Sequence, residues 1–302
     1  MLPAGVQVVG AGIDRTVVSP AIAESVTGLF LLTNRASVVR QLTLTGTFAK
    51  TYADGNGGTV RIEAGLLEDC CVRDVVMGSG EICGNSIAAV GANASLSRVT
   101  VRNCRGGKWG TVYLNSRATM ANCLVHGCEV NGALSSSYIP YGGGVYVDSS
   151  GGSVTNCTFA GAQTNTVYNY CPTLGKFVNC VFDCPSDNTF KKQYKDPETD
   201  KWIIEYYIGT NNFYHCASSI GNPIIEAHAV ENGNLSEVDL MLADPVNADY
   251  HLLPGSPCLR TGLYEPWMRE TRDLDGRRRA SRDMIDLGCY QDTVFGFQLL
   301  VR

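Results

Sequence analysis

The stretch NCLVHGC, residues 122–128, puts two cysteines and a histidine within seven positions. Alone, it is a candidate metal or redox site. It has relatives, however: NCTFAGA from 156, NCVFDC from 179 and NNFYHC from 211, with looser forms QLTLTGT from 41, DCCVRDV from 69 and RVTVRNC from 98. Cys123 to Cys157 spans 34 residues and Cys157 to Cys180 spans 23, the size of one unit in a stacked-repeat protein.

A second motif precedes the first in phase: GTVRIEA from 58, GTVYLNS from 110, GGVYVDS from 143 and NTVYNYC from 165. Its central valine lies 10, 11, 12 and 13 residues before the next cysteine, from Val60 to Cys70 through Val167 to Cys180. Each unit therefore carries at least two short strands. Within them apolar residues alternate, as one buried face of a pleated strand requires: Cys123 with Val125, Cys157 with Phe159, Cys180 with Phe182. Residues 27–190 hold no sustained helical period. The reading is all-β, a β-solenoid.

With 302 residues, 44% of them hydrophobic, the chain can bury a large core. Its 33 glycines fit a turn-rich architecture. A net charge of −5 speaks against nucleic acid as partner, and no apolar run is long enough to span a membrane. The opening residues have no signal-peptide pattern and already read as strand and turn, so an export signal or anchor is expected outside this stretch. The thirteen cysteines are an odd number, so at least one is unpaired within the chain.

The repeats resemble right-handed parallel β-helix, or pectin-lyase-like, proteins of bacterial surfaces. LADPVNADYHLLPGSPC, 242–258, and RDLDGRRRASRDMIDLGCY, 272–290, resemble the terminal signature of the choice-of-anchor Q family. Asp244, Pro245, Asp249, Tyr250, Leu252, Gly255, Ser256 and Pro257 carry its first part. Asp273, Asp275, Gly276, Arg277, Asp286, Gly288 and Tyr290 carry its second. The resemblance implies a single-stranded right-handed parallel β-helix over 1–225, lacking its N-terminal cap, and a C-terminal capping extension over 226–302. It also implies an extracellular or cell-surface location. It transfers no catalytic residue, and a shared fold does not set a function.

Alternation sends Cys123 inward and His126 outward, so the two cannot share one metal ion. Cys70, Cys123, Cys157 and Cys180 are expected as an interior column of small hydrophobes, with rung-to-rung disulfides as the alternative. Cys104, Cys128, Cys184 and Cys216 are expected as a second column. Asn122, Asn156, Asn179 and Asn211 are expected as a ladder of turn residues, because asparagine tolerates left-handed backbone. Asn156 also sits in a glycosylation triplet, as do Asn93 and Asn234, a pattern set aside for a bacterial chain. No cofactor is expected, and the densely charged DLDGRRRASRD, 273–283, fails the calcium-loop pattern; it is expected to cover the last rung.

Two outward files are candidates for binding. The first is Tyr113, Tyr146 and Tyr168, with Arg61 earlier in the file and Glu63, Asn115, Asp148 and Tyr170 two residues on. Exposed rings beside amides and carboxylates suit a polysaccharide; the plainer reading is cross-strand packing. Lys108, Trp109, Trp202, Tyr206 and Tyr207 are secondary candidates, the last three in an excursion from the solenoid. The second file is Arg73, Arg102, His126, Ala160, Asp183 and His215, which can neutralise a uronate and supply a base for a lyase. A solvated charged face is its plainer reading. The favoured function is carbohydrate recognition by a monomeric surface protein through the tyrosines. Polysaccharide lyase action by Arg73, Arg102 or His126 is one alternative, a ligand-free stalk another.

Overall fold

A computed structural model describes residues 1–21, 27–48, 57–77, 85–107, 109–130, 143–161, 167–169, 175–183, 191–196, 198–199, 201–206, 212–221, 229–280 and 283–292, with backbone only at 130, 167–169, 191–195 and 202–206. Over these residues the chain is mostly β and forms two large parallel sheets. Sheet A runs Gln7–Val9, Phe30–Arg40, Val60–Glu68, Ile87–Ser97, Ala118–Ala121, Gly152–Thr155, Lys176–Val178 and Phe213–Tyr214; Val112–Leu114, Val145–Val147 and Val167–Asn169 lie alongside. Sheet B runs Val17–Val18, Thr43–Phe48, Cys71–Met77, Thr100–Arg102, Leu124–His126, Thr158–Ala160, Val181–Asp183 and Ala217–Ser218. The chain visits the sheets in turn, so each strand pairs with its counterpart one rung away. Three successive rungs have a strand that the motif reading missed, Ala118–Ala121, Gly152–Thr155 and Lys176–Val178, between the valine motif and the cysteine.

Alternation then sorts the side chains. Leu44, Val72, Val101, Val125, Phe159 and Phe182 stand in one register on sheet B, and all are buried between the sheets. Phe159 stacks on Phe182 at 5.4 Å and Phe177 on Phe213 at 4.7 Å. Burying each such ring stabilises the fold by about 2–3 kcal/mol, and a stacked pair adds about 1 kcal/mol.

The corner from sheet A into sheet B is one left-handed residue per rung: Gln41, Asp69, Arg98, Asn122, Asn156, Asn179 and His215, with φ from 49° to 58°. The next residue points into the core: Leu42, Cys70, Val99, Cys123, Cys157, Cys180 and Cys216. Left-handed backbone costs most residues about 1–2 kcal/mol and asparagine less, which explains its use in three consecutive rungs. Asn179 adds contacts, donating from Nδ2 to Asn156 Oδ1 at 2.9 Å and to the Leu263 carbonyl at 2.9 Å. Where asparagine is missing, Arg98 bonds Asp69 at 2.6 Å and Glu68 at 2.8 Å on the neighbouring rung.

Two register expectations need correction. The asparagine column does not continue to Asn211, which lies outside the described residues; His215 occupies that corner. Cys216 belongs to the first cysteine column, because Ala217 pairs with Val181. The second column holds Cys104 and Cys128, while Cys184 lies outside the described residues. The ten described cysteines are buried free thiols.

The excursion after Asp183 includes an antiparallel hairpin, Lys191–Lys195 with Trp202–Tyr206; Tyr207 lies outside the described residues. The last rung is covered by residues 229–238, not by the charged segment. Asn232 and Asn234 each donate to the Phe213 carbonyl at 2.9 Å, and Leu235 bridges to Ala217. Residues 240–280 and 283–292 instead run back along the outer face of sheet B. There the Cys289 amide donates to Thr158 Oγ1 at 3.0 Å and the Gly288 amide to the Asn179 carbonyl at 2.8 Å. Gly288 has φ +84°, and a Cβ there would meet Thr158 Oγ1 at 2.6 Å, so this seam requires glycine. The buried Arg279 ties the segment together through the carbonyls of Tyr290 (3.0 Å) and Asp286. Among the described residues no helix is long and apolar enough to cross a membrane.

Candidate functional groove

The tyrosine file has the expected register: Tyr113 pairs with Tyr146, Tyr146 with Tyr168, and Ala88 stands between Arg61 and Tyr113. Its expected exposure is corrected. Tyr113 and Tyr146 retain 5% and 3% of their accessible surface. Their rings stack at 5.6 Å, nearly parallel, and Trp109 meets Tyr146 edge-on at 5.3 Å. With Ala88 and Val90 they form a small apolar cluster outside the main core. The polar ends are also engaged: the Tyr113 hydroxyl donates to Asp148 Oδ2, and Asn115 Nδ2 reaches both groups at 3.3 Å. Glu63 pairs with Arg61 at 3.1 Å, away from Asp148. The rings and their carboxylate satisfy one another. Lys108 and Tyr170 lie outside the described residues.

The second file behaves differently. Arg73, Arg102 and His126 occupy one register on three successive strands, followed by Ala160 and Asp183. His215 is corrected here too. It stands at the corner with Nδ1 at 2.6 Å from the Thr261 carbonyl, and Ser219 follows Asp183 in the file. Beyond His126 the C-terminal extension lies on the sheet. Tyr250 packs on His126 at 5.4 Å between ring centres, in a cluster with Leu124, Ala160 and Cys289.

A groove of about 430 Å³ remains between the extension and the open part of the sheet. Its floor is Thr43, Cys71, Thr100 and Leu124 with Arg73, Arg102 and His126; Asn247, Ala248 and Tyr290 line one side, and Ile13, Asp14 and Val17 another. Neither side was legible in the repeats. Tyr250 and Tyr290 stand out in the terminal signature, but nothing local states that they turn back onto sheet B.

The electrostatics of the groove are set by two guanidiniums. Arg73 is paired with Asp74 at 2.6 Å. Burial raises the pKa of the Cys71 thiol, and the neighbouring Arg102 partly offsets the rise. The imidazole of His126 is buried, with 8% of its surface accessible. Burial first, and then the adjacent Arg102 charge, lower its pKa to about 4, so the ring is neutral at pH 7. The site thus combines the Arg102 guanidinium, the Arg73 guanidinium already paired with Asp74, the Asp14 carboxylate, a neutral imidazole and the hydroxyls of Thr43 and Thr100, the former donating to the Ile13 carbonyl at 2.6 Å. That set can take a carboxylate or another anion and hydrogen-bond hydroxyl groups. Among the described residues no cluster of histidine, cysteine or carboxylate side chains could hold a metal ion. Comparisons with protein-family models, with curated proteins and with solved structures found no match to this chain.

Proposed function

We propose that this chain is a right-handed parallel β-helix of the choice-of-anchor Q type, displayed outside the cell, that recognises carbohydrate in the groove on sheet B. The observation that carries the reading is the placement of Arg73, Arg102 and His126 in one register beneath Tyr290. A groove of about 430 Å³ is in the range of small-ligand sites. Guanidiniums grip carboxylates in a planar fork, and tyrosine offers a sugar an apolar face with a polar edge. The choice of this groove over the tyrosine file follows from burial: Tyr113 and Tyr146 have no surface left for a sugar.

Calorimetric titration with neutral and uronate oligosaccharides tests the proposal. Binding of a uronate oligomer, weakened about tenfold or more in Arg102→Ala, is the expected result; a hydrogen bond to a charged group accounts for about 1.5–3 kcal/mol. Absence of binding across both sets would leave the stalk reading in its place. A lyase is the second reading, favoured by the neutral imidazole beside Arg102, since a base next to a carboxylate clamp is what proton abstraction at a uronate carbon needs. Ultraviolet absorbance from an unsaturated uronate, lost in His126→Ala, would establish it.

A further inference from the structure

The outer side of the groove is held by contacts that the proposed function does not use. His251 lies on the strand Asp249–Leu252, directly after Asn247 and Ala248, which line the groove. Its Nδ1 is 2.5 Å from Asp249 Oδ1 and its Nε2 is 2.9 Å from Asp275 Oδ2. A carboxylate is acceptor-only, so both ring nitrogens must donate, and only the imidazolium has two N–H groups. The same ring stacks on Tyr290 at 3.9 Å, and Tyr290 is the aromatic wall of the groove. Arg277, 3.4 Å from Asp275, shares the second carboxylate. Asp249, Asp275, Arg277 through Asp275, and Tyr290 are the charged or titratable groups that face His251.

We infer that His251, held as an imidazolium between Asp249 and Asp275, is the clasp that fixes the groove's outer wall, so that the wall loosens when the ring loses its proton. This inference rests on the groove being the binding site, and it adds the regulation of that site by pH. With the proton gone, one nitrogen faces a carboxylate lone pair with its own, and two carboxylates flank an uncharged ring. The hairpin of Leu242–Asp244 with Asp249–Leu252 loses its tie to the 272–278 loop, and Tyr290 loses the cation against which it stacks.

The direction of the effect follows from the two shifts. Burial works against the charged ring, but its hydrogen bonds to Asp249 and Asp275 outweigh burial and raise the His251 pKa above the usual 6.5. Burial opposes the Asp249 carboxylate likewise, yet the His251 contacts hold its pKa below the ordinary value. The clasp is therefore complete at pH 6.5 and below, down to the carboxylate range. It is lost as pH rises through the raised histidine value.

The test is a pH series on the intact chain, using imidazole NMR for His251 and hydrogen exchange for the amides of Tyr250–Leu252 and Tyr290. The chain has 4 histidines, which keeps assignment tractable. His251 should titrate above 6.5. Exchange, corrected for its intrinsic pH dependence, should accelerate through that midpoint by about tenfold per pH unit separating the closed and open values. His251→Gln should show no such step, and Asp275→Asn should move it to lower pH. A His251 midpoint at or below 6.5, or an exchange profile in wild type with no step, would overturn the clasp. Titration of a uronate oligomer across the same range separates the two proposals. Affinity that falls with the exchange step supports the coupling, and affinity indifferent to the step overturns it. No binding at any pH defeats the groove as ligand site, while the NMR and exchange readouts still judge the clasp.

Discussion

The outer face of sheet A at Tyr113 and Tyr146 and the outer face of sheet B at Arg73, Arg102 and His126 begin from the same device, an outward residue repeated in register. They end differently. On sheet A the rings stack on each other and on Trp109, and Asp148 takes the Tyr113 hydroxyl. On sheet B two guanidiniums and an imidazole share a groove roofed only in part by Tyr290 and the 245–250 segment. Aromatic character favours self-coverage, because each ring removed from water stabilises the fold. Like charges in register do not satisfy one another: Arg73 turns to Asp74 at 2.6 Å, and Arg102 faces the groove, where a ligand can complete it. The lesson is to rank a repeated file by what its members leave unsatisfied.

Four measurements can break or sharpen that contrast. The largest effect is expected for Tyr146→Ala, which removes a ring with 3% exposure and should cost about 3–5 kcal/mol in chemical denaturation. A cost below about 1 kcal/mol with loss of glycan binding would reverse the roles assigned to the two faces. Next comes acid. His126 has a folded pKa of about 4 against about 6.5 when unfolded, so the unfolded chain takes up the proton first. Stability should then fall by roughly 3 kcal/mol as pH drops from about 6.5 to 4. A His126→Gln variant should lack that part of the slope, and an unchanged slope would place the acid sensitivity elsewhere.

Tyr113→Phe comes third. It keeps the stacked ring but removes the hydroxyl donor to Asp148, which keeps those of Asn115 and the Ser149 amide, for about 1.5–2 kcal/mol and no change in binding. Arg102→Ala should be smallest in stability, under about 1 kcal/mol by thermal unfolding, while having the greatest effect on uronate affinity. If both readouts move together, Arg102 is a structural residue.

The repeats made the interior legible. Alternation in NCLVHGC and its relatives places Cys123, Val125, Cys157, Phe159, Cys180 and Phe182 in the core, and all are buried there. The left-handed corner was legible at Asn122, Asn156 and Asn179, because asparagine is the residue that lowers its cost. It was not legible at His215, where the residue type carries no such signal and NNFYHC offers misleading asparagines three and four residues earlier. The candidate site was legible only as one strip: Arg73, Arg102 and His126 come from local periodicity. One wall comes from Tyr290 and Ala248, more than a hundred residues away, and a chain reversal of that kind leaves no periodic trace. The buried state of Tyr113 and Tyr146 escaped for a related reason. Alternation tells which way a ring points, not what comes to cover it.

The corner residues recur at intervals of 23 to 36 positions, yet φ and the inward residue that follows hardly change. Register is thus keyed locally at each corner and does not depend on how much chain separates one corner from the next. The Lys191–Lys195 and Trp202–Tyr206 hairpin lies within the longest interval, between Asn179 and His215, and the core columns continue across it. The scaffold can therefore be treated as a rack with fixed pins: a foreign hairpin exchanged for this one would be presented at a set height beside the rung, without resetting the rungs above or below.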